Sequence, residues 1–303
     1  MLAAVFANPW RFQPNPEVYL LVAFLVGAYV YMVHTIGPTA VPAGTRPISR
    51  RNLVSFVLAM VVLFVASTYP IHQIGEEYLY SVHMVQHAML AMVFPPLVLF
   101  ATPEWLARAL LGSGRTWKVF RFLALPVIAG VLYNGLTMVL HVPGVVNTST
   151  TNGPLHFALH LLVVLFAVLM WTPIVGPIPE WRIGWGGQMV YLFLMGVVPT
   201  VPAGWMAFAE KAVYSHYGDQ RVRVWGMSPL DDQQLAGLIM KVFTGWYMWA
   251  IIIFVFFRRF AFGQREENSY RRDSAVDESL TFDAVTKAFE RTTPPAEPAA
   301  DER

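Results

Sequence analysis

Apolar runs of about 20 residues recur along this chain, and that is the length a helix needs to cross the hydrocarbon core of a bilayer. They fall near 17–36, 53–71, 79–101, 119–141, 154–172, 187–207 and 230–257. Turn-forming stretches separate them: GPTAVPAGTRP between the first two, HVPGVVNTSTTNGP between the fourth and fifth, TPIVGPIPEW between the fifth and sixth. Charge is correspondingly scarce. Only 13% of the 303 residues are charged, against roughly 25% in a soluble domain. From Arg258 to the end there are 8 Lys/Arg and 10 Asp/Glu, leaving 13 and 9 for the first 257 residues. The pattern predicts an all-α polytopic membrane protein, a bundle of seven transmembrane helices. A short outer segment (1–16) precedes it, and a charged tail (258–303) follows, expected to be mostly disordered. Within the tail, ESLTFDAVTKAFER predicts one short amphipathic helix.

Lys and Arg in the short loops set the orientation. Arg46, Arg50 and Arg51 lie between spans one and two, Arg108, Arg115 and Lys118 between three and four, and Arg258 and Arg259 open the tail. The alternate loops are acidic (HQIGEEY), uncharged (HVPGVVNTSTTNG) or mixed. The N-terminus is therefore expected outside and the C-terminus in the cytoplasm. The first sixteen residues lack the basic start and long apolar core of a cleavable signal, so the first span is expected to act as the insertion signal. With no cysteine, disulfides, thiolate metal sites and iron–sulfur clusters are excluded.

The chain has 8 histidines, and four of them form two HxxxH pairs: His83 and His87 in HMVQH, His156 and His160 in HFALH. Each pair opens an apolar run. Residues four apart stack on one face of a helix, about 5–6 Å apart at Cβ, so two imidazoles can grip one ion. Two such helices side by side can offer four. His72 and His141 fall at the same outer level and are expected behind the ligands rather than among them. Met84 and Met138 are candidate thioether donors nearby. With imidazole and thioether available and no thiolate, copper as Cu(I) ranks first. Imidazole ligation competes with protons near pH 6.5, so binding should weaken in acid. Taken singly, each pair has a bland reading as interfacial histidine bonding a neighbouring helix. His34 and His216 are given that bland role.

A second constellation lies in GMSPLDDQQLAGLIMK. Ser228 followed by Pro229 and Asp231 predicts the start of the seventh helix. Asp231, Asp232, Gln233, Gln234 and Lys241 make its polar stripe, expected to face the bundle interior. The two aspartates have a plainer role as dipole compensation. In span six, GVVPTVPAGW carries Pro199 and Pro202, predicting a kink or unwinding beside the histidine level. Trp181, Trp185, Trp205, Trp246 and Trp249 read as an interfacial belt.

HMVQH, HFALH, VVPTVPAGW and WGMSPLDDQQLAGLIMK, in that order, resemble the CtaG family of caa-type cytochrome c oxidase assembly factors, integral membrane proteins of bacteria. The resemblance covers roughly residues 17–260 and excludes the tail. It implies residence in the bacterial plasma membrane and a role in maturing a heme–copper oxidase, with the oxidase's catalytic subunit as partner and copper supply as the task. It points to His83, His87, His156, His160 and the Asp232–Gln233 step. An outer-side copper carrier and membrane lipid complete the expected partners; no nucleic acid is expected, and no substrate bond need be broken. Three other classes compete. A heme-binding electron-transfer protein would use one histidine of each pair as an iron ligand. A scaffold-only assembly factor would hold no metal. A transporter would carry polar groups through the full depth of the bundle, whereas the lower halves of these spans are nearly uniform in Val, Leu, Phe and Ala.

Overall fold

The apolar runs become helices because a chain in lipid must satisfy its backbone hydrogen bonds within each segment. The structure is a computed structural model and describes residues 8–277 and 282–291, among which there is no strand. Six helices are long and apolar enough to cross a membrane: Pro16–Ala40, Arg50–Glu77, Tyr80–Ala101, Gly153–Val175, Trp185–Ala207 and Pro229–Ala261. They form spans one, two, three, five, six and seven. Arg115–Leu123 and Pro126–Leu140, bent by 69° at the break between them, are long and apolar enough only together, and counted as one broken span they make the fourth. The predicted span at 119–141 is therefore broken. Pro126 is the reason: Leu125 before it is driven out of the helical region, to φ −58° and ψ 133°.

Helix starts carry the expected chemistry. Ser49 and Asn52 make a reciprocal capping pair at span two, and the Asn152 side chain accepts from the Leu155 N–H at span five. The Ser228 side chain accepts from the Asp231 N–H, as the sequence predicts. Pro70 splits span two into Arg50–Ser67 and Ile71–Glu77. Pro199 divides span six into Trp185–Val197 and Thr200–Ala207, the expected break.

Three spans contain a π-turn, at Met32–Ile36, Met89–Val93 and Ile239–Phe243. The second has a clear cause. Pro95 has no N–H to give the Ala91 carbonyl four residues back, and the Trp171 indole donates to that carbonyl instead, at 2.9 Å. An orphaned acceptor is thereby satisfied from span five.

Residues up to Ile252 form one compact unit and Ile253–Arg303 a second. In the first, span three is the most enclosed of the six single-helix spans and span one the least. One core joins spans three to seven around Met92, Tyr133, Met170, Trp171, Leu192 and Met248. Another packs spans two and three through Ala59, Leu63, Ala66, Leu90 and Phe94. Alanines at these contacts (Ala59, Ala66, Ala167, Ala203, Ala236) have no exposed surface, as expected where helices associate in lipid by close approach rather than by expulsion of water. Large apolar side chains such as Phe24 and Val127 face outward.

Two loops expected to be irregular are not. HVPGVVNTSTTNGP holds a helix, Pro143–Thr150, begun by a proline at its first position. The helix starting at Thr244 runs on to Asp277, so residues 258–277, predicted mostly disordered, are helical. Phe282–Glu290 is the short helix expected in the tail; residues 278–281 of that motif lie outside the described residues.

Candidate metal centre

Both histidine pairs face each other across spans three and five. Ring centroids are 4.5 Å apart within His83–His87 and 4.3 Å within His156–His160. Across the helices, His83 lies 5.5 Å from His156 and 5.4 Å from His160, and His87 lies 4.7 Å from His160. His83, His87 and His160 each present a ring nitrogen within 4.8 Å of the other two. His87 Nε2 and His160 Nε2 are 3.2 Å apart, close to the edge of a tetrahedron with metal–nitrogen bonds of about 2.0 Å. His83 Nδ1 is buried with no partner among the described residues.

His156 stands beside these three but falls outside the converging set. Its Nε2 lies 2.7 Å from Glu76 Oε1, off the line of a hydrogen bond. The other carboxylate oxygen, Oε2, is 3.4 Å from His72 Nε2, and His72 Nδ1 is 3.1 Å from Gln86 Nε2. Glu76 thus ties the end of span two to span five. The sequence reading treats it only as loop acidity; nothing local in HQIGEEY distinguishes it from Glu77, because its partners come from elsewhere in the chain.

His141 hydrogen-bonds the Thr137 carbonyl through Nδ1 at 2.6 Å. A carbonyl only accepts, so Nδ1 carries the proton and Nε2 of the neutral ring keeps a bare lone pair. That Nε2 is buried without a partner among the described residues. Met84 is buried and lines the same cavities as His87 and His141. Met138 is 37% exposed and is not among the residues lining those two cavities. His34 is exposed, while His216 anchors through Nε2 to the Glu76 carbonyl at 2.8 Å.

The start of span three is held in place by the seventh. Its first N–H groups have no partner in their own helix, and Leu79, the residue before it, offers no side-chain cap. The Asp232 carboxylate takes both: Tyr80 N–H at 2.7 Å and Ser81 N–H at 2.9 Å. Gln233 receives the Val213 N–H at 2.8 Å, and Gln234 donates to the Ala209 carbonyl at 2.9 Å. The polar stripe is therefore turned relative to expectation. Asp232 and Gln233 face the interior, whereas Asp231 and Lys241 are on the exposed side. Asp231 stays with Ser228 Oγ at 2.6 Å, and Lys241 reaches Thr200 Oγ1.

The cavity bounded by the histidines measures about 20 Å³ and is roofed by the Pro143–Thr150 helix through Val146, Ser149 and Thr150. Tyr80 stacks on His83 with 5.8 Å between ring centroids. Tyr214 donates to the His141 carbonyl at 3.0 Å and Tyr217 to the Gly75 carbonyl at 2.9 Å. Burial pushes the Tyr214 hydroxyl up to about 12, so it keeps its proton and stays a donor through the physiological range.

A membrane-spanning helical bundle with converging imidazoles set between two of its helices is the class that fold and site define. The family model of the cytochrome c oxidase caa3 assembly factor (Caa3_CtaG) matches residues 27–261. The chain belongs to that family. Neither a curated protein nor a solved structure matches it.

Proposed function

We propose that this protein serves the assembly of a heme–copper cytochrome c oxidase by holding Cu(I) on His83, His87 and His160 and passing it to the oxidase's catalytic subunit. The carrying observation is the approach of three imidazole nitrogens to within 4.8 Å of one another, with a buried, unpartnered nitrogen on His83. Desolvated imidazole lone pairs in a water-poor pocket bind a metal more readily than they remain bare. Copper is cargo here, so a site with few ligands suits it; ligand exchange needs an open position. The cavity has room for an ion and not for a porphyrin, which supports copper over heme. The protein takes copper from an outer-side carrier, sits in the bacterial plasma membrane with its N-terminus outside, and acts by transfer rather than by catalysis. The Lys and Arg of alternate loops support that orientation.

Metal content of the purified full-length protein tests this beside a His83→Ala/His87→Ala/His160→Ala variant. Copper should be present in the first and absent in the second, and cells carrying the variant should lose oxidase activity that added copper partly restores. Equal copper in both proteins would overturn the reading, and unchanged oxidase activity would leave a scaffold.

Glu76→Gln removes the charge that sits against His156 and His72. Glu76 acts one step removed, by placing His156 against the ligating His160 at 4.3 Å between ring centroids, and outer partners of ligating groups typically tune affinity by about 10–100-fold. Copper affinity should fall by about 10-fold, read by competition with a Cu(I) chelator, while helix content is unchanged. An unaltered affinity would make Glu76 a packing residue only.

A further inference from the structure

A second cavity of about 50 Å³ adjoins the histidine cluster and shares His87 with it. Met84, His87, Met92, His141 and Met240 are among its walls, drawn from spans three, four and seven. Three thioethers and two imidazoles thus border one space in a chain without cysteine. Among these groups His141 is the most informative. It is only 7% exposed. The Thr137 carbonyl fixes its proton on Nδ1, leaving Nε2 unprotonated, buried and without a partner. Fixing the far nitrogen to a backbone carbonyl is how ligating histidines are oriented in metal sites. An unpaired buried nitrogen otherwise costs free energy for nothing.

We propose that this cavity is a second metal station, selective for Cu(I), built from His87, His141 and the thioethers of Met84, Met92 and Met240. The inference rests on the copper reading above, because Met84, His87 and His141 border both cavities and so join the two stations. Thioether with imidazole favours Cu(I), whereas Zn(II) gains little from neutral sulfur. The outer cluster, made of imidazoles alone, accepts either ion. An ion held by His83, His87 and His160 moves inward by exchanging His83 and His160 for His141 and sulfur, with His87 retained throughout. No electron is transferred. The π-turns Met89–Val93 and Ile239–Phe243 contribute Met92 and Met240, and such turns are often found at functional sites.

Anaerobic titration of the full-length protein in detergent with Cu(I) against a competing chelator, and separately with Zn(II), decides the matter. The protein should take two equivalents of Cu(I), the outer ion then resting on His83 and His160 while His87 serves the inner one, and one of Zn(II). His141→Ala should lose one Cu(I) equivalent and keep the Zn(II). Should His141→Ala fold poorly, Met92→Leu/Met240→Leu preserves volume; it should weaken the second Cu(I) by about 10-fold or more and remove copper–sulfur scattering from the X-ray absorption spectrum. A single Cu(I) equivalent in the parent protein, or two retained in both variants, would overturn the second station while leaving the outer site intact. No Cu(I) bound at all would instead overturn the copper reading itself.

Discussion

Asp232→Ala should lower stability by about 3 kcal/mol and strip the protein of copper although Asp232 touches no histidine. Its carboxylate accepts from Tyr80 and Ser81 N–H at 2.7 and 2.9 Å. Hydrogen bonds to a charged acceptor are worth about 1.5–3 kcal/mol each, and buried donors left unmet cost further. The carboxylate also sits at the positive end of the helix dipole. Loss of the cap frays the turn that carries Tyr80 and His83, so the ring nitrogens no longer converge. Asp232→Asn keeps one acceptor oxygen and should recover about half of the loss. Thermal unfolding in detergent and metal content together check this. An alanine variant with parental stability and copper would show that span three holds its own start.

Gly237→Ala should be nearly as damaging, for a steric reason. A Cβ built at Gly237 meets the Ala203 carbonyl oxygen at 2.6 Å and the Ala207 nitrogen at 2.7 Å. Both are backbone atoms in span six, so no rotamer change relieves the clash, and the two helices must part. Overpacking of this kind costs about 1–3 kcal/mol, occasionally more. Gly237 lies between Gln233 and Met240 on the seventh span, so separation would also slacken the loop between spans six and seven and the cavity wall. The expected reading is a drop of several degrees or more in unfolding temperature. Gly196→Ala, where nothing lies within 4 Å of the added carbon, serves as the control and should be silent. Equal behaviour of the two variants would refute close backbone packing at Gly237.

Much of this molecule is legible from hydropathy and spacing, because both are local. The apolar runs mark the spans within a few residues, Ser228 marks the seventh helix, and Pro199 marks the break in the sixth. HxxxH is equally local: four residues are one helical turn, so each pair shares a face whatever the neighbours do. What escapes is whatever is decided across the fold. Glu76 reads like Glu77 until His156 and His72 are set against it. Asp232 reads as a cap for its own helix and turns out to cap another. Asp231 and Lys241 share a stripe by periodicity, yet the stripe's direction depends on where spans three and six sit. HVPGVVNTSTTNGP, rich in turn formers, conceals a helix that roofs the histidines, since capping by Pro143 outweighs the low helical propensity of Thr and Asn.

Pro95 bears on more than the local hydrogen bond. The turn it imposes at Met89–Val93 closes with the Phe94 N–H bonding the Met89 carbonyl five residues back, so this rod contains one residue too many for its length. Everything after that surplus is swung by about 100° from where an unbroken 3.6-residue winding would leave it. One rod can therefore show two unrelated compass bearings: imidazoles toward the fifth helix in its first half, and Phe94 toward the second in its latter half.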